Sequence, residues 1–144
     1  MAAYTMRVTT PHPYELAVTA VRTELAEAGF GVITEIDLAA TLKAKLDVDV
    51  APQVILGACR PQLAHQAVQA DPSIAALLPC NVVVRAVDQD TTVVEAFDPE
   101  AMIDFTHATD GDPLHLVAAD ARRRLATALE AVAAHESSTQ EVGH

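Results

Sequence analysis

The sequence predicts an α+β fold, a single domain in which helices pack on one face of a mainly antiparallel sheet. Its 144 residues suffice for one domain whose core needs no metal or disulfide. Stretches with helical periodicity alternate with β-branched stretches, which indicates helices inserted between strands. Residues 82–87 and 92–97 are β-branched runs separated by a short polar segment, a pattern typical of a β-hairpin.

The chain begins with a predicted strand over residues 4–9. A helix over residues 13–28 follows, because apolar side chains recur there at steps of three and four, and Gly29 ends it. Residues 30–36 alternate between apolar and polar side chains, interrupted only by Ile33, and predict a strand with one buried face. We expect that buried face to carry Phe30, Val32 and Ile36.

A second, shorter helix begins at Asp37 and carries three leucines at helical spacing. Residues 54–58 are continuously apolar, as expected of a strand inside the sheet. Pro61 suits the first turn of a helix over residues 61–70, because proline has no N–H to lose there. One further helical turn follows and ends at Pro79. The three leucines of the second helix are Leu38, Leu42 and Leu46.

The hairpin leads into a short helix over residues 98–105 and then into a long final helix with an apolar stripe. Four aspartates stand directly before predicted helices, and we expect them to be N-caps that accept hydrogen bonds from the first turn. The folded domain is predicted to span residues 1–135, and the polar residues 136–144 to form a disordered tail. The four aspartates are Asp37, Asp71, Asp98 and Asp112.

The charge and composition exclude several classes of partner. A formal net charge of −11 disfavours nucleic acid, whose phosphates recruit basic surfaces, and an aromatic content of only 3% leaves few platforms for stacking bases. No apolar run approaches the roughly 18 residues of a membrane helix, and the first residues lack a signal-peptide pattern. We therefore expect a cytosolic protein without nucleic-acid or membrane partners, in which thiols stay reduced.

The only two cysteines lie where predicted helices and strands meet, a place where folds often put chemistry. Cys59 ends an apolar strand and precedes Arg60 and a helix N-terminus. A guanidinium and the positive end of a helix both stabilise a thiolate, so Cys59 is the predicted nucleophile. Cys80 follows a helix end, where the dipole disfavours an anion, and is predicted to be the less acidic thiol. Both residues also fit inert packing, because free cysteine is often buried.

The spacing of the two cysteines matches neither a CxxC redox motif nor a paired-knuckle zinc site. If the thiols meet, they could form a disulfide or a sulfur-relay pair. Among the six histidines, only His65, on the helix after Cys59, is a candidate neighbour, and the three side chains together would suit zinc or copper. The chain has no GxSxG, HExxH or glycine-rich phosphate loop, so the sequence indicates neither a cofactor nor an enzyme class.

One basic cluster stands out in this acidic chain, the run Arg122-Arg123-Arg124. It could hold an anion. A solvated helix face explains it more simply, with Asp120 placed four residues before Arg124 in the orientation that favours an ion pair.

Five segments, taken in order, resemble the domain of unknown function 302 family. The similarity covers about residues 13–132. The five ordered matches together are far more specific than any one motif in the chain. They comprise residues 29–37, 41–46, 56–61, 77–84 and 98–102.

The resemblance implies an α+β fold of the TATA-binding-protein-like type and a homodimer, without implying DNA binding, because fold does not carry function. No established activity comes with it. Two residues depart from the family pattern: Arg60 stands where asparagine is expected, and Asp47 stands where glycine is expected. The resemblance places at the family's characteristic positions Lys45, Cys59, Pro61, Pro79, Cys80 and Asn81.

These observations support one leading hypothesis, a cytosolic homodimeric domain with a small pocket for ligand binding or for thiol and sulfur handling. Its partner would be a small ligand or a sulfur carrier, with Cys59 as thiolate, Arg60 as its electrostatic partner and Asn81 as a hydrogen-bond donor. A structural or interaction module without catalysis and a metal-binding domain using Cys59, Cys80 and His65 remain open alternatives. The candidate ligand-binding residues are Cys59, Arg60, Cys80, Asn81 and Lys45.

Overall fold

The computed structural model describes residues 4–106 and 108–135, which form five strands and four α-helices. The strands are β1 (Thr5–Thr10), β2 (Gly31–Asp37), β3 (Gln53–Cys59), β4 (Cys80–Ala86) and β5 (Thr92–Phe97). The helices are α1 (Tyr14–Glu27), α2 (Leu38–Leu46), α3 (Pro61–Ala70) and α4 (Pro113–Ala134), and two 3-10 helices cover Pro72–Leu77 and Pro99–Phe105. The predicted disordered tail, residues 136–144, lies outside the described residues.

The five strands form one sheet in the order β1-β5-β4-β3-β2, and every neighbouring pair is antiparallel. The predicted hairpin is confirmed, since β4 and β5 are adjacent and joined by a short turn. The continuously apolar β3 lies inside the sheet between β2 and β4, as predicted. β1 and β2 are the two edge strands.

The hydrophobic core lies on one face of the sheet, beneath α1, α3 and α4. Side chains of a strand alternate between the two faces, so every second residue of the central strands points into this layer. Leu25 of α1 and Leu125 of α4 pack against these side chains and are fully buried. The predicted α+β class, with helices on one face of an antiparallel sheet, is therefore confirmed. The core side chains of β3 and β4 include Val54, Leu56, Ala58, Val82 and Val84.

The prediction of a regular buried face on β2 was wrong for its second half. A β-bulge between Val32 and Thr34 inserts Ile33 as an extra residue, and an insertion of one residue moves all later side chains to the opposite face. Val32 pairs with the core residue Ala58, but Ile36 pairs with Ile55 on the other face and is 47% exposed. β2 is consequently an exposed edge strand.

The leucine stripe of α2 covers no core, because α2 has no buried residue and Leu46 is 65% exposed. The helix ends at Asp47, whose φ of 55° and ψ of 37° are left-handed. Glycine is the residue best suited to this backbone conformation, which explains why glycine is expected at this position. Aspartate is one of the few other residues that tolerates it.

The four predicted N-caps are confirmed. Each aspartate side chain accepts a hydrogen bond of 2.9–3.0 Å from a backbone N–H in the first turn of its helix. These caps fix where the helices begin, including α4 and both 3-10 helices beside the candidate site. The donors are Ala40, Ser73, Glu100 and Leu114 for Asp37, Asp71, Asp98 and Asp112, respectively.

Within residues 4–106 and 108–135, none of the helices combines the length and the apolar character needed to span a lipid bilayer.

Candidate functional site

A cavity of about 240 Å³ lies where β3 ends and β4 begins. α3 and α4 form its sides, and both 3-10 helices contribute to its wall. The exposed Ile33 of the β2 bulge also lines it. Its larger apolar side chains include Phe30, Leu63, Ile74, Met102, Leu114 and Val117.

Small side chains keep this space open. Alanines from β3, α3 and α4 point into the cavity at positions where larger apolar residues would fill it. Protein interiors are otherwise close-packed, so facing alanines on adjacent elements leave a void of this size only where no bulky neighbour reaches across. The cavity is thus a product of the alanine-rich composition. These residues are Ala58, Ala64, Ala67, Ala118 and Ala121.

Both cysteines lie in the cavity wall, so the structure brings together the two thiols that the sequence singled out. Cys59 is the last residue of β3 and is half-buried, whereas Cys80 is the first residue of β4 and is 7% exposed. In the β3–β4 register Cys80 is opposite Ala58, one position from Cys59. Both thiols are free.

Burial, and then the charge of nearby Cys59, raise the pKa of Cys80 to about 11. The prediction that Cys80 is a weakly acidic thiol is in line with this value, but the main cause is loss of solvation and not the helix end. A thiol with this pKa remains protonated at neutral pH, so Cys80 acts as an apolar wall residue.

Of the arginines that the structure describes, Arg60 alone lines the cavity. Its Nε is fully buried and has no hydrogen-bond partner, and the side chain forms no ion pair with any residue of the described ranges. The guanidinium lies above Gly29, where a Cβ would overlap Nη1. Gly29 also has a φ of +93°, a backbone conformation that favours glycine, and the missing side chain leaves room for Arg60.

Arg124 joins Arg60 near Gly29, a contact that the sequence did not predict. Its Nη1 is 3.7 Å from the place that a Cβ of Gly29 would occupy, and it donates a 3.3 Å hydrogen bond to the carbonyl of Ala28. The predicted ion pair with Asp120 is confirmed at 3.2 Å. Arg124 is therefore half-buried, and its guanidinium is held beside the turn that joins α1 to β2. It is not part of a purely solvated helix face.

Three other candidates lie outside the cavity. Asn81 follows Cys80 in β4, and strand alternation turns it to the opposite face, where it is exposed beside Gly57. Lys45 is exposed on α2, which leaves β2 at the end of the sheet opposite Cys59. His65 is exposed on α3. Across the described part of the chain, no three His, Cys, Asp or Glu side chains are grouped as a metal site needs.

Comparison with known proteins identifies a family and a similar solved structure. The model of the domain of unknown function 302 (DUF302) matches residues 6–132. The crystal structure of an uncharacterized conserved DUF302 protein from Bacillus stearothermophilus is similar, with a TM-score of 0.81 and 26% sequence identity. The similarity covers 91% of this chain and 99% of the other. No curated protein matches the chain significantly.

The match to the family model spans nearly all of the described residues. The fold of the solved structure agrees with the fold of this chain over 91% of the chain. The segments on which the sequence resemblance rested, including those that carry both cysteines, fall inside the matched range. The chain therefore belongs to the DUF302 family of domains of unknown function.

Proposed function

We propose that this domain binds a small apolar molecule in the cavity that contains Cys59 and Cys80. The observation that carries the proposal is the wall itself, which combines apolar side chains, two free thiols and one guanidinium around about 240 Å³. Ligand sites are typically concave and apolar with a few polar groups that orient the ligand. The cavity has this character, and its volume suits a small molecule and not an extended one.

The two thiols have different roles in this proposal. Cys80 is buried and protonated, so it serves as a packing surface for the ligand. Cys59 is half-buried at the strand end and is the thiol that a bound molecule would meet. Reversible binding is the function proposed, and a sulfur-handling step at Cys59 would be an extension of it. Two free thiols also suit the reducing cytosol, where we propose that the protein resides.

The test is protection of a thiol by ligand. We expect iodoacetamide to label Cys59 in the native protein and to leave Cys80 unlabelled until unfolding, as resolved by peptide mass spectrometry. Saturating octan-1-ol, a neutral apolar probe, should slow labelling of Cys59 several-fold by occupying the cavity. Unchanged labelling of Cys59 in the presence of octan-1-ol would contradict the proposal.

A matched pair of variants separates cavity binding from general effects of the alcohol. Ala118 lines the cavity and is 6% exposed, whereas its neighbour Ala119 is exposed. Ala118→Leu should fill part of the cavity and remove the protection by octan-1-ol. Ala119→Leu should retain it, because the added side chain points to solvent.

We also propose that the domain forms a homodimer through a surface made by β2, α2 and the segment that follows α2. Five of the ten exposed large apolar side chains of the described residues belong to this surface. An edge strand with unpaired backbone groups and exposed apolar residues is a template for pairing, and a two-fold dimer closes such an edge. The five side chains are Ile33, Ile36, Leu46, Val48 and Val50.

Sedimentation at micromolar concentration tests the dimer. We expect the wild type to sediment as a dimer and Ile36→Lys to sediment as a monomer, because a lysine in the apolar contact would have to be desolvated. Val87→Lys is the matched control, since Val87 is 58% exposed but lies in the β4–β5 turn. A monomeric wild type, or a dimer that survives Ile36→Lys, would rule out this surface.

A further inference from the structure

We infer that the molecule bound in the cavity is a small amphipathic carboxylate, with its apolar body inside the cavity and its carboxylate on Arg60. This inference rests on the proposed function and names the class of ligand. Apolar walls alone would accept any small hydrophobic molecule. The positively charged groups at one side of the cavity favour an anionic ligand over a neutral one.

The first argument is the state of Arg60. A guanidinium is always charged and has five N–H donors, and burying any of them without a partner is costly. Arg60 nevertheless has a fully buried Nε without a hydrogen bond and no carboxylate within ion-pair distance in the described residues. Buried polar groups in native proteins are nearly always satisfied. A ligand carboxylate that meets the guanidinium at the cavity wall would neutralise a charge that no carboxylate of the described residues neutralises.

The second argument is the local balance of charge. Arg60 and Arg124 both approach Gly29, so two positive groups are held close together. Arg124 pairs with Asp120, but Arg123 contacts the same carboxylate. One acidic side chain therefore serves two arginines, and Arg60 remains uncompensated in a protein whose net charge is −11. This excess of positive charge beside the cavity favours an anion.

The third argument concerns the type of anion. Among the described residues, Arg60 is the only charged side chain that lines the cavity, and the rest of the wall is almost entirely apolar. The planar fork of an arginine makes two parallel hydrogen bonds with a carboxylate or with a phosphate, but the second charge and the further oxygens of a phosphate dianion would have no partner on this apolar wall, whereas a carboxylate is neutralised by one guanidinium. An apolar tail attached to that carboxylate then fits the remaining space.

Paired ligands of equal chain length test the inference. We expect calorimetry to show that octanoate binds at least about tenfold more tightly than octan-1-ol, because a hydrogen-bonded charge pair typically supplies that factor. Arg60→Gln should remove this advantage and leave the affinity for octan-1-ol within about twofold. Arg60→Lys should retain part of it, because the charge remains but the fork is lost.

A control variant distinguishes the local contact from the overall charge. Arg7 is exposed on β1, opposite Glu95 on the face of the sheet without the cavity. Arg7→Gln changes the net charge as Arg60→Gln does and should leave the binding of both ligands unchanged.

The outcomes separate the inference from the function on which it rests. Equal affinity for octanoate and octan-1-ol, or octanoate binding that Arg60→Gln leaves intact, would overturn the carboxylate while the cavity remained a binding site. Failure of both ligands to bind would overturn the inference and the proposed function together. Binding of octan-1-ol to Arg60→Gln also serves as the check that the variant is folded.

Discussion

We expect Gly57→Ala to lower the free energy of unfolding by about 1–3 kcal/mol, the usual cost of overpacking a filled site. Gly57 is a buried residue of β3, on the face opposite the core. A Cβ there would overlap the hydroxyl of Thr34 and would lie 2.7 Å from Cγ of Pro79. The threonine side chain can rotate, whereas Cγ of the proline can move only as far as a change of ring pucker allows. The strand end that carries Cys59 would therefore shift.

Gly31→Ala is the matched control on the neighbouring strand. Its added Cβ would meet only the carbonyl oxygen of Cys59, at 3.9 Å, which is ordinary contact. Removal of a glycine also restricts the unfolded chain, so Gly31→Ala should be neutral or should stabilise by about 0.4–1 kcal/mol. Urea denaturation measures both variants. Equal stability changes at the two positions would show that the contact with Pro79 does not restrict residue 57.

The local parts of this fold were predictable because their signals are local. The aspartates before α2, α4 and both 3-10 helices, and the hairpin of β4 and β5, follow from residues a few positions apart. The second half of β2 was not predictable in the same way. Its alternation is broken by a bulge at Ile33, and an apolar residue at that position looks the same in a bulge as in a buried strand.

Some features of the candidate site could likewise be predicted from local sequence signals, and others could not. The positions of Cys59, Arg60 and Cys80 at element junctions directed attention to the end of the sheet where the cavity lies. Strand alternation favours placing Asn81 on the face opposite Cys80, because both residues belong to β4. Alternation alone does not decide the lining of the cavity, since Ala58 and Cys59, adjacent at the end of β3, both line it. The cavity itself depends on which alanines of α3 and α4 face each other, and that requires the three-dimensional packing. The same holds for the approach of Arg124 to Gly29.

Arg60 stands where the family resemblance predicts asparagine, and the structure shows what this difference changes in the cavity wall. In the sequence it was a charge beside a cysteine. In the fold it is a partly buried cation on an apolar wall, above a glycine that leaves room for it. If asparagine occupied this position, the apolar lining of the cavity would be unchanged, but the wall would carry no positive charge. Under the proposed function, the residue at position 60 would determine whether the cavity of this protein prefers an anionic ligand.

We expect the stability of the protein to fall steeply in alkaline solution because of Cys80. The thiol of an unfolded chain ionises near its ordinary pKa of 9.0, whereas burial holds the pKa of Cys80 in the folded protein at about 11. Between these values the unfolded state has lost a proton that the folded state keeps, so rising pH favours unfolding. The stabilisation is complete well below pH 9, and about 2 kcal/mol of it is lost by pH 11.

Comparison with two alanine variants assigns this loss to one thiol. Cys80→Ala should be less stable at neutral pH, because it leaves a small cavity, but its free energy of unfolding should fall less between pH 9 and 11 than that of the wild type. Cys59→Ala should keep most of the fall, since burial is the larger cause of the raised pKa and the charge of Cys59 the smaller. Equal pH profiles for wild type and Cys80→Ala would mean that Cys80 reaches solvent. Cys80 would then not be the buried packing surface that the proposed ligand site requires.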